Sequence, residues 1–217
     1  MKIYFVRHGE TESNATGKSL GPNVPLTELG REQADLVGRR LKNIPIDLVV
    51  SSTYPRAQET AAIINKHLDK GEVLHSELLV ERRNCSELFG LHRKSPEYLA
   101  IDDEVVKNWG KPGWHYSDEE SFEDQKVRVE KALDYLKNLE AENVLVVTHG
   151  MFLKMLISRL VYGKDLSPEE AWRFNVLVPM SNTGITLCEY NGEKNDDNVT
   201  KVTEGWRVRT WNDVAHL

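Results

Sequence analysis

The stretch that decides the fold is IYFVRHGETESN, residues 3–14. Its first four residues are apolar or aromatic, and they run directly into Arg7, His8 and Gly9. A short run that is apolar on both faces is typical of a central strand in a parallel sheet. We therefore predict a buried strand over residues 2–6 that delivers an arginine and a histidine to one point at its carboxyl end.

The segments that follow alternate between loop, helical and extended patterns. After a polar loop over residues 9–25, a helix is predicted from the N-cap candidate Thr27. Four apolar residues are expected on its buried face: Leu29, Ala34, Val37 and Leu41. A second buried strand is predicted over residues 46–52, and Pro55 stands at the first turn of the helix after it.

Regular patterns return in the second half of the chain, with a helix from residue 122, a strand over 143–148 and a helix from 151. Two strands joined by a polar turn are predicted over 182–192 and 198–212. Strands that alternate with helices favour a parallel sheet with right-handed crossovers. The predicted fold is α/β, a three-layer α/β/α sandwich with a mostly parallel central sheet and flanking helices.

The pattern between the two halves is irregular. Residues 78–120 are rich in charge and contain prolines, glycines and two tryptophans, Trp109 and Trp114. We expect a partly helical insertion there, which we call the cap insertion. A chain of 217 residues fits one domain, so the predicted organisation is a single domain over 1–217 that carries this insertion.

Composition excludes several classes of function. The formal net charge of −6 argues against a general nucleic-acid or membrane-surface binder. The N-terminal apolar run is too short for a signal peptide, and no segment approaches the length of a membrane span, so a cytoplasmic location is expected. Cys85 and Cys188 lie far apart in sequence and are expected to be reduced, structural thiols.

Two strands of this chain end in the same unusual way. YFVRHG and VLVVTHG each place His-Gly at the end of a strand, at His8 and His149, and the strand that ends at Ser52 leads into Arg56. In open α/β sheets, ligands bind outside the carboxyl ends of the strands. Arg7, His8, Arg56 and His149 are therefore expected to converge at one rim.

Two guanidinium groups and two imidazoles at one rim suit a compact dianion. Arginine binds phosphate through paired hydrogen bonds. Gly9 and Gly150 would permit close backbone approach, and the N-termini of the following helices would add N–H donors. The pattern indicates a phosphate site.

In these motifs the chain resembles the histidine phosphatase superfamily, also called the phosphoglycerate mutase-like family. The likeness covers nearly the whole chain and rests on VRHGET with Asn14, PLTELGREQA, SSTYPRAQETA, VTHG, SNTGITLCEY and the terminal WNDVAHL.

The resemblance implies a phosphohistidine mechanism. His8 is then the nucleophile, and Arg7, Arg56 and His149 are catalytic groups that bind the phosphoryl oxygens. Asn14 and Gly150 also belong to the expected phosphate site, with Thr148 beside them; Ser52 is either part of it or a turn serine. The implied ligand is a small phosphomonoester, and neither a metal ion nor another cofactor is expected.

The resemblance also implies a carboxylic acid that protonates the leaving group. Glu81 stands at the expected place and Glu87 is its rival, because ERRNCSELFG differs from the usual family pattern around the acid. We favour Glu81.

The reaction is expected to be hydrolysis of a phosphomonoester. The glycolytic mutases of the family carry ERHYG after the acid and paired arginines in the insertion, whereas this chain has ERRNC and no arginine over 101–121. The alternatives are mutase-type phosphoryl transfer and a catalytically weak module that binds a phosphorylated ligand. A third alternative is a metallohydrolase that binds a metal ion through HGE (residues 8–10) and His149, but these residues do not have a spacing that is usual for metal ligands.

The cap insertion is expected to determine the substrate. Five cationic or imidazole side chains could contact a second anionic group or could simply be solvated: Arg82, Arg83, His92, Arg93 and Lys94. The two tryptophans could line the pocket, although packing between cap and core is the simpler expectation.

Overall fold

In the computed structural model, residues 1–192 and 204–217 are described. Within them the strands are β1 (Lys2–Arg7), β2 (Leu48–Ser52), β3 (Leu74–Ser76), β4 (Asn143–Thr148), β5 (Ile185–Tyr190) and β6 (Trp206–Asp213). The helices are α1 (Glu12–Thr16), α2 (Glu28–Leu41), α3 (Pro55–Leu68), α4 (Pro96–Asn108), α5 (Phe122–Lys137), α6 (Gly150–Tyr162) and α7 (Pro168–Leu177).

The strands form one mixed sheet in the order β3-β2-β4-β1-β5-β6. The first four strands in this order are parallel, and β5 and β6 run antiparallel to their neighbours. Helices flank the sheet, so the predicted three-layer α/β/α fold with a mostly parallel sheet is confirmed. In the register of β1 on β4, Arg7 lies opposite Thr148, which brings the two His-Gly corners level with each other.

Two apolar clusters, one for each face of the sheet, explain why residues 144–147 of β4 are all apolar. Val144 and Val146 belong to the cluster that contains residues of α5 and α6. Leu145 and Val147 belong to the cluster that contains residues of α2 and α3. Successive side chains of a strand point to opposite faces, so a strand between two helical layers must be apolar at every position.

Helix α2 begins where the sequence predicts. The Thr27 hydroxyl accepts a hydrogen bond from the Gly30 N–H at 3.0 Å, as an N-cap should. The prediction for Leu29 is wrong, because this side chain is 48% exposed while Gly30 is buried. A Cβ at Gly30 would overlap the carbonyl oxygen of Glu10, so the helix packs on the loop after β1 through its glycine.

The cap insertion is partly helical, as predicted. It contains α4 and a 3₁₀ turn at Ser86–Leu88, and it has an apolar cluster of its own formed by Cys85, Leu88, Tyr98 and Val105. Trp109 packs in the main core against the rings of Phe122 and Trp172, and Trp114 packs against the cap's cluster. Both tryptophans therefore serve packing, the simpler of the two expectations.

Several details were not foreseen. The loop after β1 contains the short helix α1, and α7 had no counterpart in the sequence prediction. The predicted last strand is observed from Trp206, and its stretch over 198–203 lies outside the described residues. Cys85 and Cys188 are both buried and free. Over residues 1–192 and 204–217, no helix combines the length and apolar character needed to cross a bilayer.

Candidate active site

The carboxyl ends of β1, β2 and β4 bring four predicted side chains together. We call Arg7, His8, Arg56 and His149 the cationic cluster. The His8 and His149 rings lie 5.1 Å apart between centroids and are tilted by 58°. Arg56 reaches them from the first turn of α3, where Pro55 occupies the first helical position.

Hydrogen bonds on both ring nitrogens fix the orientation of His8. Its Nδ1 lies 2.7 Å from the carbonyl oxygen of Gly9, and its Nε2 accepts a hydrogen bond from Arg56 Nε at 3.1 Å. A carbonyl can only accept, so Nδ1 carries the proton in this arrangement and Nε2 presents its lone pair. The cluster thus holds an unprotonated imidazole nitrogen directed at a guanidinium.

Burial keeps the His8 ring neutral. Desolvation lowers the pKa of His8 well below its usual value, and the charges of Arg56 and Arg7 lower it further. The hydrogen bond to Gly9 opposes this shift without reversing it. A neutral imidazole is therefore the stable form at physiological pH.

His149 is fully buried and is held by Ser52. The His149 Nε2 lies 2.8 Å from Ser52 Oγ, which also accepts the Tyr54 N–H at 3.2 Å. The other nitrogen, Nδ1, is buried and has no partner among the described residues. Desolvation first, and then nearby Arg56, lowers the pKa of His149 well below its usual value, so the neutral ring is favoured at physiological pH. Ser52 is thus both a turn serine and a support for this ring.

Arg7 leaves one donor unused. Its Nη1 donates to the carbonyl of Met180 at 2.6 Å, while its buried Nε has no partner in the part of the chain that is described. A Cβ at Gly150 would lie 3.3 Å from that Nε, so the glycine lets the guanidinium lie over the start of α6. Buried donors are normally paired, so the unpaired Nε of Arg7 is a donor that an acceptor could complete.

Two residues that the sequence analysis missed hold the His8-Gly9 segment after β1. Thr60 on α3 accepts the Gly9 N–H at 3.0 Å, and Asn182 donates to the carbonyl of His8 at 3.0 Å. Asn182 also donates to Asn14 Oδ1 at 3.2 Å, which places Asn14 in the wall of the site. Thr60 lies inside the motif SSTYPRAQETA and Asn182 inside SNTGITLCEY, so membership of these motifs was the signal that could have identified them.

The structure separates the two candidate acids. Glu81 lies in the cavity wall, and its carboxylate accepts the backbone N–H groups of Met151 at 3.3 Å and Phe152 at 2.9 Å, in the first turn of α6. A carboxylate there is favoured by the helix dipole. Glu87 is exposed, accepts the hydroxyl of Ser117 at 2.7 Å, and does not line this cavity.

A buried ion pair holds the segment that bears Glu81. Arg128 binds Glu120 through two parallel hydrogen bonds of 2.7 Å and donates to the carbonyl of Val80 at 2.7 Å. Glu120 in turn accepts the Arg83 N–H at 3.0 Å. The residues on either side of Glu81 are therefore tied to α5, which limits how far its carboxylate can move.

Arg7, His8 and Arg56 of the cationic cluster line a cavity of about 580 Å³, whereas His149, whose ring packs against that of His8, is not one of its wall residues. Arg82, Arg83 and Arg93 of the cap insertion also line it, whereas His92 and Lys94 do not. Lys154 of α6 and Trp172 of α7 are further wall residues that the sequence analysis missed. The wall has six cationic and three acidic side chains in a chain of net charge −6, so the cavity is selectively positive.

The described residues offer no ready metal centre at this cavity. Across 1–192 and 204–217, no three His, Cys, Asp or Glu side chains are grouped so that they could hold a metal ion. The imidazoles are instead surrounded by guanidinium groups, which is the wrong charge for a cation site.

Comparison with known proteins decides the family. The family model of the histidine phosphatase superfamily (branch 1) matches residues 3–203. The chain belongs to this superfamily. The resemblance drawn from the motifs is therefore confirmed, and with it the expectation of a phosphoryl-transfer enzyme of the phosphatase or mutase type.

The relatives of this chain include proteins named as mutases and proteins named as phosphatases. A protein of Photorhabdus laumondii named "Probable phosphoglycerate mutase GpmB" is 30% identical, over all of this chain and 95% of its own length. The alpha-ribazole phosphatase of Shigella flexneri has a TM-score of 0.75 at 25% identity, covering 98% of this chain and 96% of its own. The phosphoserine phosphatase of Entamoeba histolytica, in complex with 3-phosphoglyceric acid, has a TM-score of 0.74 at 25% identity, covering 99% and 98%.

The two buried histidines predict how stability depends on pH. Both pKa values are lowered by folding, so below about pH 6.5 the unfolded chain binds more protons than the native protein. The free energy of unfolding should therefore fall between pH 7 and pH 5, by up to about 1.4 kcal/mol per pH unit for each histidine. Urea denaturation in phosphate-free buffer measures this.

The double variant His8→Ala/His149→Ala should show a shallower dependence on pH. His75→Ala is the control, since His75 is exposed on β3, and it should keep the slope of the natural protein. Equal slopes in all three proteins would show that the buried pair does not titrate as proposed.

Proposed function

We propose that this protein is a phosphomonoester hydrolase that transfers the phosphoryl group first to His8 and then to water. The observation that carries the proposal is the His8 ring, whose Nδ1–H is held by the Gly9 carbonyl so that Nε2 presents a lone pair among cationic donors. An activated nucleophile needs this combination of free lone pair and fixed orientation.

The cationic cluster stabilises the group in transfer. Arg7 Nε and His149 Nδ1 are buried without partners among the described residues, and we infer that phosphoryl oxygens complete both. A bound dianion beside His149 raises the pKa of its imidazole again, so substrate binding itself favours the protonated ring. Fixed donors of this kind, placed where charge develops, contribute several kcal/mol to transition-state stabilisation.

Asn14 and the start of α6 extend the same site. The Asn14 side chain lines the cavity, and its Oδ1 accepts hydrogen bonds from Asn182 and from the Thr11 N–H, so its NH₂ group is the part left to donate to a phosphoryl oxygen. Gly150 opens α6, and backbone N–H groups at a helix N-terminus bind anions. We assign both residues to phosphate binding.

We assign the general acid to Glu81. When the ester bond breaks, the leaving oxygen needs a proton, and Glu81 is the carboxyl group of the cavity wall that lies next to the first turn of α6. In the second half of the reaction the same carboxylate accepts a proton from the attacking water. Its anchoring through Arg128 and Glu120 supports this role, because proton transfer requires fixed geometry.

Residues 78–120 act as the cap of a single domain that spans 1–217. They supply Arg82, Arg83 and Arg93 to the cavity, whereas the phosphate end is built from the core. Substrate discrimination is therefore assigned to the cap, and phosphoryl transfer to the core together with Glu81, which lies near the start of the cap insertion. The ligand is a small phosphorylated molecule, as the volume of about 580 Å³ allows.

Mutase-type transfer is the second candidate. The 30% identical relative with a mutase name supports it. Incubation with 3-phosphoglycerate, with and without a bisphosphate primer, separates the two reactions: a hydrolase releases inorganic phosphate, and a mutase produces 2-phosphoglycerate. Predominant isomerisation would replace our proposal.

His8→Ala should abolish the reaction. Without the imidazole, kcat for p-nitrophenyl phosphate should fall at least about 10³-fold, and the acid-labile phosphate trapped on the natural enzyme should disappear. His75→Ala, which removes an exposed imidazole outside the cavity, should retain full activity. Turnover that survives in His8→Ala would refute the nucleophile.

The loss of activity in Glu81→Gln should depend on the leaving group of the ester. A general acid matters most for a basic alkoxide, so kcat should fall about 10²-fold for an alkyl phosphate and far less for p-nitrophenyl phosphate. Glu87→Gln is the matched control and should behave like the natural enzyme with both esters. An equal loss on both esters, or a larger effect of Glu87→Gln, would overturn the assignment.

A further inference from the structure

The cap side of the cavity carries charges of both signs that the proposed phosphate site does not use. Arg82, Arg93 and Asp102 all line the cavity, and we call these three residues the bipolar wall. Among the described residues, none of them takes part in an ion pair within 4.0 Å. Charges of opposite sign in one wall normally pair with each other, so their separation is a feature to explain.

The three groups are close enough to influence each other. Burial raises the pKa of Asp102, and the charges of Arg82 and Arg93 oppose that shift. The same three charges act on the buried ring of Tyr98, which also lines the cavity. The wall is thus one electrostatic unit whose members have no ion-pair partner among the described residues.

The orientation of Arg82 is set by a neighbour. Its Nε and Nη2 both donate to Asn84 Oδ1, at 3.1 and 2.9 Å. An amide oxygen fixes the guanidinium plane without neutralising its charge, and Nη1 has no partner in the described part of the chain. Arg82 is therefore oriented and still cationic.

The charge of Arg93 also reaches the phosphate end of the cavity, since it lowers the pKa of Arg7. Arg93, Arg82 and Asp102 line the same cavity as Arg7, so a ligand bound at Arg7 can extend toward charges of both signs.

We propose that the bipolar wall binds a carboxylate and an ammonium group of the same substrate, so that the preferred substrates are O-phosphorylated amino acids. The substrate carboxylate pairs with Arg82 and Arg93, and its ammonium group pairs with Asp102. This inference rests on the proposed hydrolase function and names its substrate class.

Two other substrate classes fit the wall poorly. A second phosphate or a lone carboxylate would be repelled by the half-buried, unpaired Asp102 carboxylate. An uncharged alcohol portion would cover three charges and leave them without partners, which is costly. Only a bipolar substrate pairs every charge of the wall.

A matched set of esters tests the proposal. Phosphoserine and 3-phosphoglycerate of the same configuration at C2 differ only in an ammonium group against a hydroxyl, and phosphoethanolamine retains the ammonium group but lacks the carboxylate. The kcat/KM for phosphoserine should exceed that for each of the other two by about tenfold, the range of one charged hydrogen bond in a partly exposed site. p-Nitrophenyl phosphate serves as the ester without either group.

Variants should separate the interaction with the substrate's ammonium group from the interaction with its carboxylate. Asp102→Asn should lower kcat/KM about tenfold for phosphoserine and leave 3-phosphoglycerate and p-nitrophenyl phosphate unimpaired. Arg82→Gln should lower the values for phosphoserine and 3-phosphoglycerate together while sparing phosphoethanolamine. Asp103→Asn is the control, because Asp103 is the exposed neighbour that does not line the cavity, and it should change nothing.

The outcomes separate this inference from the proposed function. Hydrolysis of p-nitrophenyl phosphate with 3-phosphoglycerate preferred over phosphoserine, or equal effects of Asp102→Asn and Asp103→Asn, would overturn the bipolar wall and leave the hydrolase standing. Calorimetric titration of the His8→Ala variant with the same esters measures the preference without turnover. Tighter phosphoserine binding there would support the wall even if no ester were hydrolysed, and tighter 3-phosphoglycerate binding would refute it.

Discussion

The burial of two imidazoles between two guanidinium groups is the constraint on which the rest of the structure depends. Desolvation and mutual repulsion both favour the neutral form of His8 and His149. The site thus holds a lone pair on His8 and buried nitrogens without partners among the described residues on Arg7 and His149. In the proposed function a dianion pairs with these nitrogens and relieves the repulsion, so one arrangement would account for phosphate binding and for a nucleophile that is ready at neutral pH.

The surrounding fold maintains this unfavourable collection of charges. Strand β4, which is apolar over residues 144–147, lies between two helical layers, and its pairing of Thr148 with Arg7 brings His149 level with His8. Thr60, Ser52 and Asn182 then hold the loops that follow the strands. Core stability therefore offsets a site that is costly by itself, whereas the cap insertion has its own small apolar cluster and carries the charges that face the substrate.

Sequence reasoning succeeded where a local pattern has a single physical meaning. Thr27 predicts a helix start because its hydroxyl can satisfy a free N–H, and the structure shows that bond. It failed where two patterns compete. Leu29 has an apolar side chain on the expected face, yet Gly30 is buried because the loop after β1 packs against the helix backbone there. Helical periodicity cannot report such a contact, since it depends on a segment twenty residues away in the chain.

By itself the sequence determined the layers, the family and the four members of the cationic cluster. Each of these members belongs to a short local motif: the end of a strand with the His-Gly pair directly after it, or an arginine in the first turn of a helix. Only the tertiary structure decided which glutamate faces the cavity, that Trp109 belongs to the core, and that Lys154 and the bipolar wall line the site. The physical reason is that these properties depend on distances between segments far apart in sequence. Glu81 and Glu87 are equivalent as residues, and only the packing of the cap against α5 and α6 sets them apart.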